Sequence, residues 1–160
     1  MLKDITFENV PSDYTSLKVH TLPPTGGDTL WCSGYEIYDL LSTPFKQMSE
    51  TLVARFAQPH FNCAAQNGGF TLHQGPRGSP ENVGEKLEAF HPFIRTNPVT
   101  NWKSVFGLGF HFKEIINLSK RESKLLKAFI LELVTTSHAA QVRFKWRAND
   151  LAIWDNVSKE

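Results

Sequence analysis

Thr25-Gly26-Gly27-Asp28-Thr29-Leu30-Trp31 is the stretch on which the reading of this chain turns. Two successive glycines let the backbone take a positive φ, which a residue carrying a Cβ avoids, so a tight turn is expected there. Pro23-Pro24 holds the approach to it extended. Beyond the turn, Thr29-Leu30-Trp31 has the β-branched and aromatic character of a strand, predicted over residues 28–32. Read alone, the stretch is a hairpin turn feeding a strand.

Working outward toward the N-terminus, residues 4–8 (Asp4-Ile5-Thr6-Phe7-Glu8) read as a short strand and residues 11–13 as a turn. Over residues 14–22, Leu17, Val19 and Thr21 alternate with Ser16, Lys18 and His20, the period of a half-buried strand. Toward the C-terminus, a short helix is expected over residues 34–41. A second helix begins at Thr43-Pro44, with Thr43 as its N-cap, and runs to about residue 57 with Phe45, Met48, Leu52, Val53 and Phe56 inward. Glycine and proline punctuate residues 58–89 too often for long elements. A loop of this length inside a compact domain is either a substrate-covering lid or a surface excursion. A hairpin follows, residues 90–95 returning over 102–106. Ser119-Lys120-Arg121-Glu122 has the form of a capping box, opening a helix with Leu125, Leu126, Phe129, Ile130, Leu133 and Val134 at helical spacing. Val142, Phe144 and Trp146 alternate with Arg143, Lys145 and Arg147, and residues 151–154 form the last strand. Strand pairs at both ends with helices between predict a mixed α/β, β-rich fold in which helices pack outside a β core.

At 160 residues the chain has the length of one domain, residues 1–160, able to bury a sizeable core. A formal net charge of +1 predicts no attraction to nucleic acid or to an anionic membrane surface. Apolar stretches are too short to cross a bilayer, and the first residues lack the apolar run of a signal peptide. Cys32 and Cys63 match no metal spacing and suit a reducing, cytoplasmic location.

Asp4-Ile5-Thr6-Phe7, followed at this distance by Thr25-Gly26-Gly27-Asp28-Thr29-Leu30-Trp31, resembles the taurine dioxygenase family of iron(II)/2-oxoglutarate-dependent oxygenases. Phe90-His91-Pro92 through Arg95-Thr96-Asn97-Pro98-Val99-Thr100, Trp102-Lys103-Ser104 and Asn149-Asp150-Leu151-Ala152-Ile153-Trp154-Asp155-Asn156 look like further family blocks, in family order. The resemblance implies a double-stranded β-helix, a jelly-roll core, here partial, with flanking helices. It implies Fe(II) held by two histidines and a carboxylate, with 2-oxoglutarate as co-substrate, O2, and a small organic acid as substrate, an alkylsulfonate such as taurine leading. It calls for neither nucleic acid nor membrane and leaves a homo-oligomer open.

Carried over by position, Asp4 matches the carboxylate ligand, and Thr29 the threonine that binds the far carboxylate of 2-oxoglutarate. Ile5 and Phe7, beside Asp4, are the candidates for lining a substrate pocket, because alternate residues of a strand there would face the site. Leu2 stands where the first His belongs. The second His and the 2-oxoglutarate Arg are implied past Glu160, so the resemblance implies a domain cut at both ends of the metal site. The competing expectation is a non-catalytic chain, a pseudoenzyme or interaction module.

Other histidines get plainer readings: His20 on a polar strand face, His60 and His73 in the long loop, His91 in a family block without a ligand role, His111 and His138 peripheral. Trp31, Trp102, Trp146 and Trp154 are expected in the core. Lys120, Arg121, Lys124 and Lys127 read as the solvated face of a helix, and Arg143, Lys145 and Arg147 as the outer face of a strand.

Overall fold

The computed structural model describes residues 5–106 and 108–156, so Asp4, with Leu2, lies outside the described residues. In chain order the elements are β1 Tyr14–Lys18, β2 Thr29–Cys32, α1 Gly34–Asp39, α2 Thr43–Ser49, β3 Val53–Ala57, α3 Pro59–Gly68, β4 Glu88–Pro92, β5 Ile94–Thr96, β6 Lys103–Val105, β7 Phe112–Ile115, α4 Lys120–Thr136, β8 Gln141–Phe144 and β9 Leu151–Asp155. A 3-10 turn, His138–Ala140, joins α4 to β8.

Every described strand pairing is antiparallel. β3 is the centre of a three-stranded sheet, between β4 and β7. β5 and β6 form a hairpin, β2 pairs with β8, and β1 pairs with β9. The fold is therefore mixed α/β, as expected. The core gathers Ile37, Phe56, Phe93, Phe106, Ile115 and Ile130 from four helices and strands and from the turns between them. Phe93 separates β4 from β5 and is fully buried, which lets the chain leave one sheet and enter the next.

The helix expected from residue 43 to about 57 ends at Ser49, and residues 53–57 are the central strand instead. The apolar spacing there satisfies a helical period, but the helix is ended by its own hydroxyls. Ser49 Oγ donates to the carbonyls of Phe45 and Lys46, and Thr51 Oγ1 to that of Met48. In β3, Ala54 and Phe56 face the core, and Arg55 points outward to Glu114 and Glu88 on the flanking strands. The α2 N-cap is Ser42 rather than Thr43, with Pro44 in the first turn.

Residues 5–7 form a turn where a strand was expected. Glu8 N–H donates to the Ile5 carbonyl at 3.0 Å, and Ile5 has φ +49°. The reason is tertiary and is given with the site below. β1 stops at Lys18, and Leu17 is exposed rather than inward. Residues 58–89 contain α3, whose start and stop are Pro59 and Gly69 (φ +65°). Each stands where it helps a helix begin or end rather than where it would break one. The hairpin and the start of α4 agree with expectation. Ser119 Oγ accepts from Glu122 N–H at 3.3 Å, and the Glu122 carboxylate accepts from Ser119 N–H at 2.8 Å. The last strand, β9, pairs with β1 along its full length.

Candidate functional site

Thr29 opens β2 directly after the turn. Gly26 (φ +78°) and Gly27 (φ +82°) take the left-handed conformation that the glycine pair predicts. Asp28 is fixed by Arg143 of β8, whose Nε donates to its carboxylate at 2.7 Å. The β2–β8 register sets Thr29 opposite Phe144 and Trp31 opposite Val142, so Thr29 and Trp31 share one face. On that face the buried Trp146 donates its indole N–H to Thr29 Oγ1 at 2.8 Å. One lone pair of the hydroxyl is thereby occupied, and its own proton is left to be donated elsewhere.

Trp31 stacks obliquely on Trp154 (5.4 Å between ring centroids) and on Trp146 (6.2 Å). Three of the four tryptophans thus form one wall. Trp102 departs from the core reading: it is 63% exposed at the hairpin end, edge-on to Tyr35. Beside the wall opens a cavity of about 430 Å³ lined by Trp31, Tyr35, Trp154, Asp155 and Asn156 among others. Among the described residues, the buried indole N–H of Trp154 and Oδ1 of Asn156 have no hydrogen-bond partner.

The second group surrounds residues 5–10. His91 on β4 points its Nε2 at two carbonyl oxygens, Thr6 (3.1 Å) and Glu8 (3.0 Å). Both are acceptors, so Nε2 carries the proton. Burial, and then the nearby Arg95 charge, push the His91 pKa down to about 4, which keeps the ring neutral. Glu8, itself buried, accepts a forked pair from Arg77, Nε at 2.5 Å and Nη2 at 3.1 Å. The Arg77 pKa is raised chiefly by that bond to Glu8. Asn82, only 2% exposed, takes Val10 N–H on Oδ1 (2.9 Å) and gives Nδ2–H to the Val10 carbonyl (2.7 Å). These bonds hold residues 5–10 out of any sheet, which is why a strand does not form. A β-branched residue with positive φ, as at Ile5, is strained, and the strain is met by these partners.

Of the substrate-pocket candidates, Ile5 is half-buried and Phe7 is buried, edge-on to Phe61 (5.8 Å) and His111 (4.8 Å). His111 is therefore part of this cluster rather than peripheral. Because residues 5–7 are a turn, the alternation that nominated Ile5 and Phe7 does not apply to them. Among the described residues, no hydrogen bond or ring contact links Thr29 to Ile5 or Phe7. Nor do three His, Cys, Asp or Glu side chains gather among the described residues to hold a metal ion. The expected carboxylate, Asp4, is outside them. They do not by themselves make up an iron site.

The sequence did not single out Arg77 or Asn82, and it gave His91 no ligand role and Trp146 only a place in the core. Asn82 and Arg77 sit in the loop set aside as irregular, and only the pairing partners across the fold give them a role. Trp146 alternates with Phe144, a signal for burial but not for a bond to Thr29.

The alpha-ketoglutarate-dependent dioxygenase oryG of Aspergillus oryzae is 43% identical over 154 residues, 96% of this chain and 45% of that protein. The alpha-ketoglutarate-dependent sulfonate dioxygenase of Saccharomyces cerevisiae is 31% identical over 154 residues, 96% of this chain and 35% of that protein. The crystal structure of a taurine dioxygenase from Burkholderia xenovorans superposes with a TM-score of 0.75 at 27% identity, over 96% of this chain and 46% of that one. AAD-2 in complex with Mn(II) and N-oxalylglycine does so with a TM-score of 0.76 at 27% identity, over 96% and 52%. The chain spans less than half the length of these two curated relatives. Residues 3–158 match the family described as taurine catabolism dioxygenase TauD, TfdA family, and the chain belongs to that family.

Proposed function

We propose that this chain supplies part of the site of an Fe(II)/2-oxoglutarate-dependent dioxygenase that hydroxylates a small organic acid, an alkylsulfonate such as taurine being the first substrate to test. In such chemistry iron(II) activates O2 while 2-oxoglutarate is oxidised to succinate and CO2. Thr29 binds the far carboxylate of 2-oxoglutarate. The observation that carries this is its hydroxyl, which accepts from Trp146 and donates to no group among the described residues, so that its proton can meet an anionic oxygen. The Trp31–Trp146–Trp154 wall keeps water from that bond, which strengthens it. Asp4 is the carboxylate ligand, Ile5 and Phe7 belong to the substrate pocket, and residues 58–89 act as a lid whose inner part grips residues 8–10. The core is part of a jelly roll, and the protein works in the cytoplasm on a free small molecule.

Family membership across residues 3–158 supports the reading, as do a relative named as a sulfonate dioxygenase and AAD-2, solved with an isostere of 2-oxoglutarate. The test is a chimera in which the 154 matched residues replace their counterparts in the Aspergillus oryzae relative. Succinate release is followed with taurine, longer alkylsulfonates and unrelated small acids. Thr29→Ala is expected to raise the 2-oxoglutarate KM by about 10- to 150-fold, since a hydrogen bond to a charged group is worth roughly 1.5–3 kcal/mol. Asp4→Ala is expected to abolish turnover. Normal turnover in Asp4→Ala would overturn the assignment of that ligand.

A further inference from the structure

We propose that the cavity between β7 and the first turns of α4 is a binding site for a multiply charged oxyanion of the phosphate class. It has a volume of about 460 Å³, and Arg55, Lys113, Glu114, Lys120, Lys124 and Lys127 stand on its wall. It shares no residue with the Thr29 wall or with the cluster around residues 5–10, and it does not rest on the oxygenase reading.

Sequence alone gave three of these lysines the bland role of a solvated helix face. Spacing puts Lys120, Lys124 and Lys127 in one row of α4. What the spacing could not show is where that row sits. Ser123, buried beneath it, accepts from Ile115 N–H at 3.1 Å and so pins the start of α4 onto β7. The row is thereby brought to the same concavity as Lys113 of β7.

The charges in the cavity do not balance. Its one carboxylate, Glu114, accepts from Arg55 Nε at 2.8 Å, so these two offset each other, and Arg55 also binds Glu88 at 2.9 Å. Lys113, Lys120, Lys124 and Lys127 form no ion pair among the described residues. Lys127 is half-buried with its ammonium 5.1 Å from the centroid of the Phe112 ring. Burial and then the charge of Lys113 lower its pKa, the mark of a cation short of a counter-charge. Like charges around a concave wall focus a positive potential. A single negative charge would leave most of this excess in place. A chain of phosphates would neutralise it, and lysine meets phosphate oxygens as a point charge with rotatable donors.

Calorimetric titration of the full 160-residue chain with inorganic tripolyphosphate, and in parallel with metal-free ATP, tests the site at low salt and at about 0.15 M salt. Binding is expected for tripolyphosphate, weakening with salt. The double variant Lys124→Gln/Lys127→Gln should raise Kd by about tenfold or more. Lys145→Gln/Arg147→Gln, on the strand-side basic residues, should change it less than about twofold. Equal weakening by both pairs, or no binding, would overturn the proposal by reducing the effect to overall charge. Similar affinity for ATP makes the phosphate chain the recognised part and supports it. ATP binding without tripolyphosphate binding would make the nucleoside the recognised part and overturn it. Tripolyphosphate should also shield the Lys127 amine of the unmodified chain from an acylating reagent, and unchanged labelling there would count equally against the site.

Discussion

His91 makes acid sensitivity of this fold calculable. Its ring lies between Phe56 (5.6 Å) and Phe106 (5.1 Å) with Arg95 nearby, and its Nε2–H is spent on the Thr6 and Glu8 carbonyls. In the fold its pKa falls to about 4 from an ordinary 6.5. As pH drops below 6.5 the unfolded chain takes up the proton and the folded chain does not, so stability is full above that value. It is lost as pH falls toward 4, where the folded ring also protonates and the loss levels off. The gap corresponds to roughly 300-fold in proton affinity, or about 3 kcal/mol. About 2.5 kcal/mol of it is already gone at pH 4.5, against a total domain stability of roughly 5–15 kcal/mol. His91 is only 5% exposed, so solvent screening takes little from this figure.

Urea denaturation of the chain and of His91→Gln, between about pH 7.5 and 4.5, measures it. Glutamine keeps an N–H for the two carbonyls but does not titrate. Glu50 and Glu88, whose carboxyls Lys103 and Lys86 hold below the usual range, lose their contributions toward the acid end in both proteins and cancel in the comparison. The stability gap between the two proteins should shift by about 2.5 kcal/mol in favour of the variant as pH falls. Hydrogen exchange should show residues 5–8 loosening first. Parallel pH curves for the two proteins would refute the reasoning.

Asn82→Ala removes both bonds to Val10 and one to the Arg77 carbonyl, leaving half-buried backbone groups unpaired. It should cost about 2–4 kcal/mol in denaturant melts and raise exchange at Val10, and a loss under about 0.5 kcal/mol would show that water replaces the side chain. Gly34→Ala should destabilise by about 1–3 kcal/mol in a thermal melt, because the added Cβ collides with Ser104 Oγ and comes within 3.0 Å of the Val105 carbonyl. Ser104 is fully buried and cannot yield, so a neutral result would mean that α1 slides freely over β6.

Local chemistry was legible in the sequence wherever a residue's conformational limits decide the outcome alone. Gly26 and Gly27 make their turn because only glycine reaches that φ cheaply, and the Ser119–Glu122 box starts α4 because both partners lie within one turn. The blocks that carry the family resemblance were legible for the same reason, since each is contiguous, and Thr29 could be singled out from them. Tertiary structure decided everything that depends on a distant partner. Residues 53–57 satisfy a helical period and become the central strand because β4 and β7 flank them and Arg55 finds a carboxylate on each. Residues 5–7 have strand composition and become a turn because His91, Arg77 and Asn82, some seventy to eighty-five positions away, hold the carbonyls, the Glu8 carboxylate and the Val10 backbone. Four lysines became one basic cavity by the same route, through a serine hydroxyl that ties a helix to a strand. Periodicity fixes which residues can share a face. Only the closing of the chain on itself fixes what that face meets, because hydrogen bonds and charges depend on distance in space and not along the sequence.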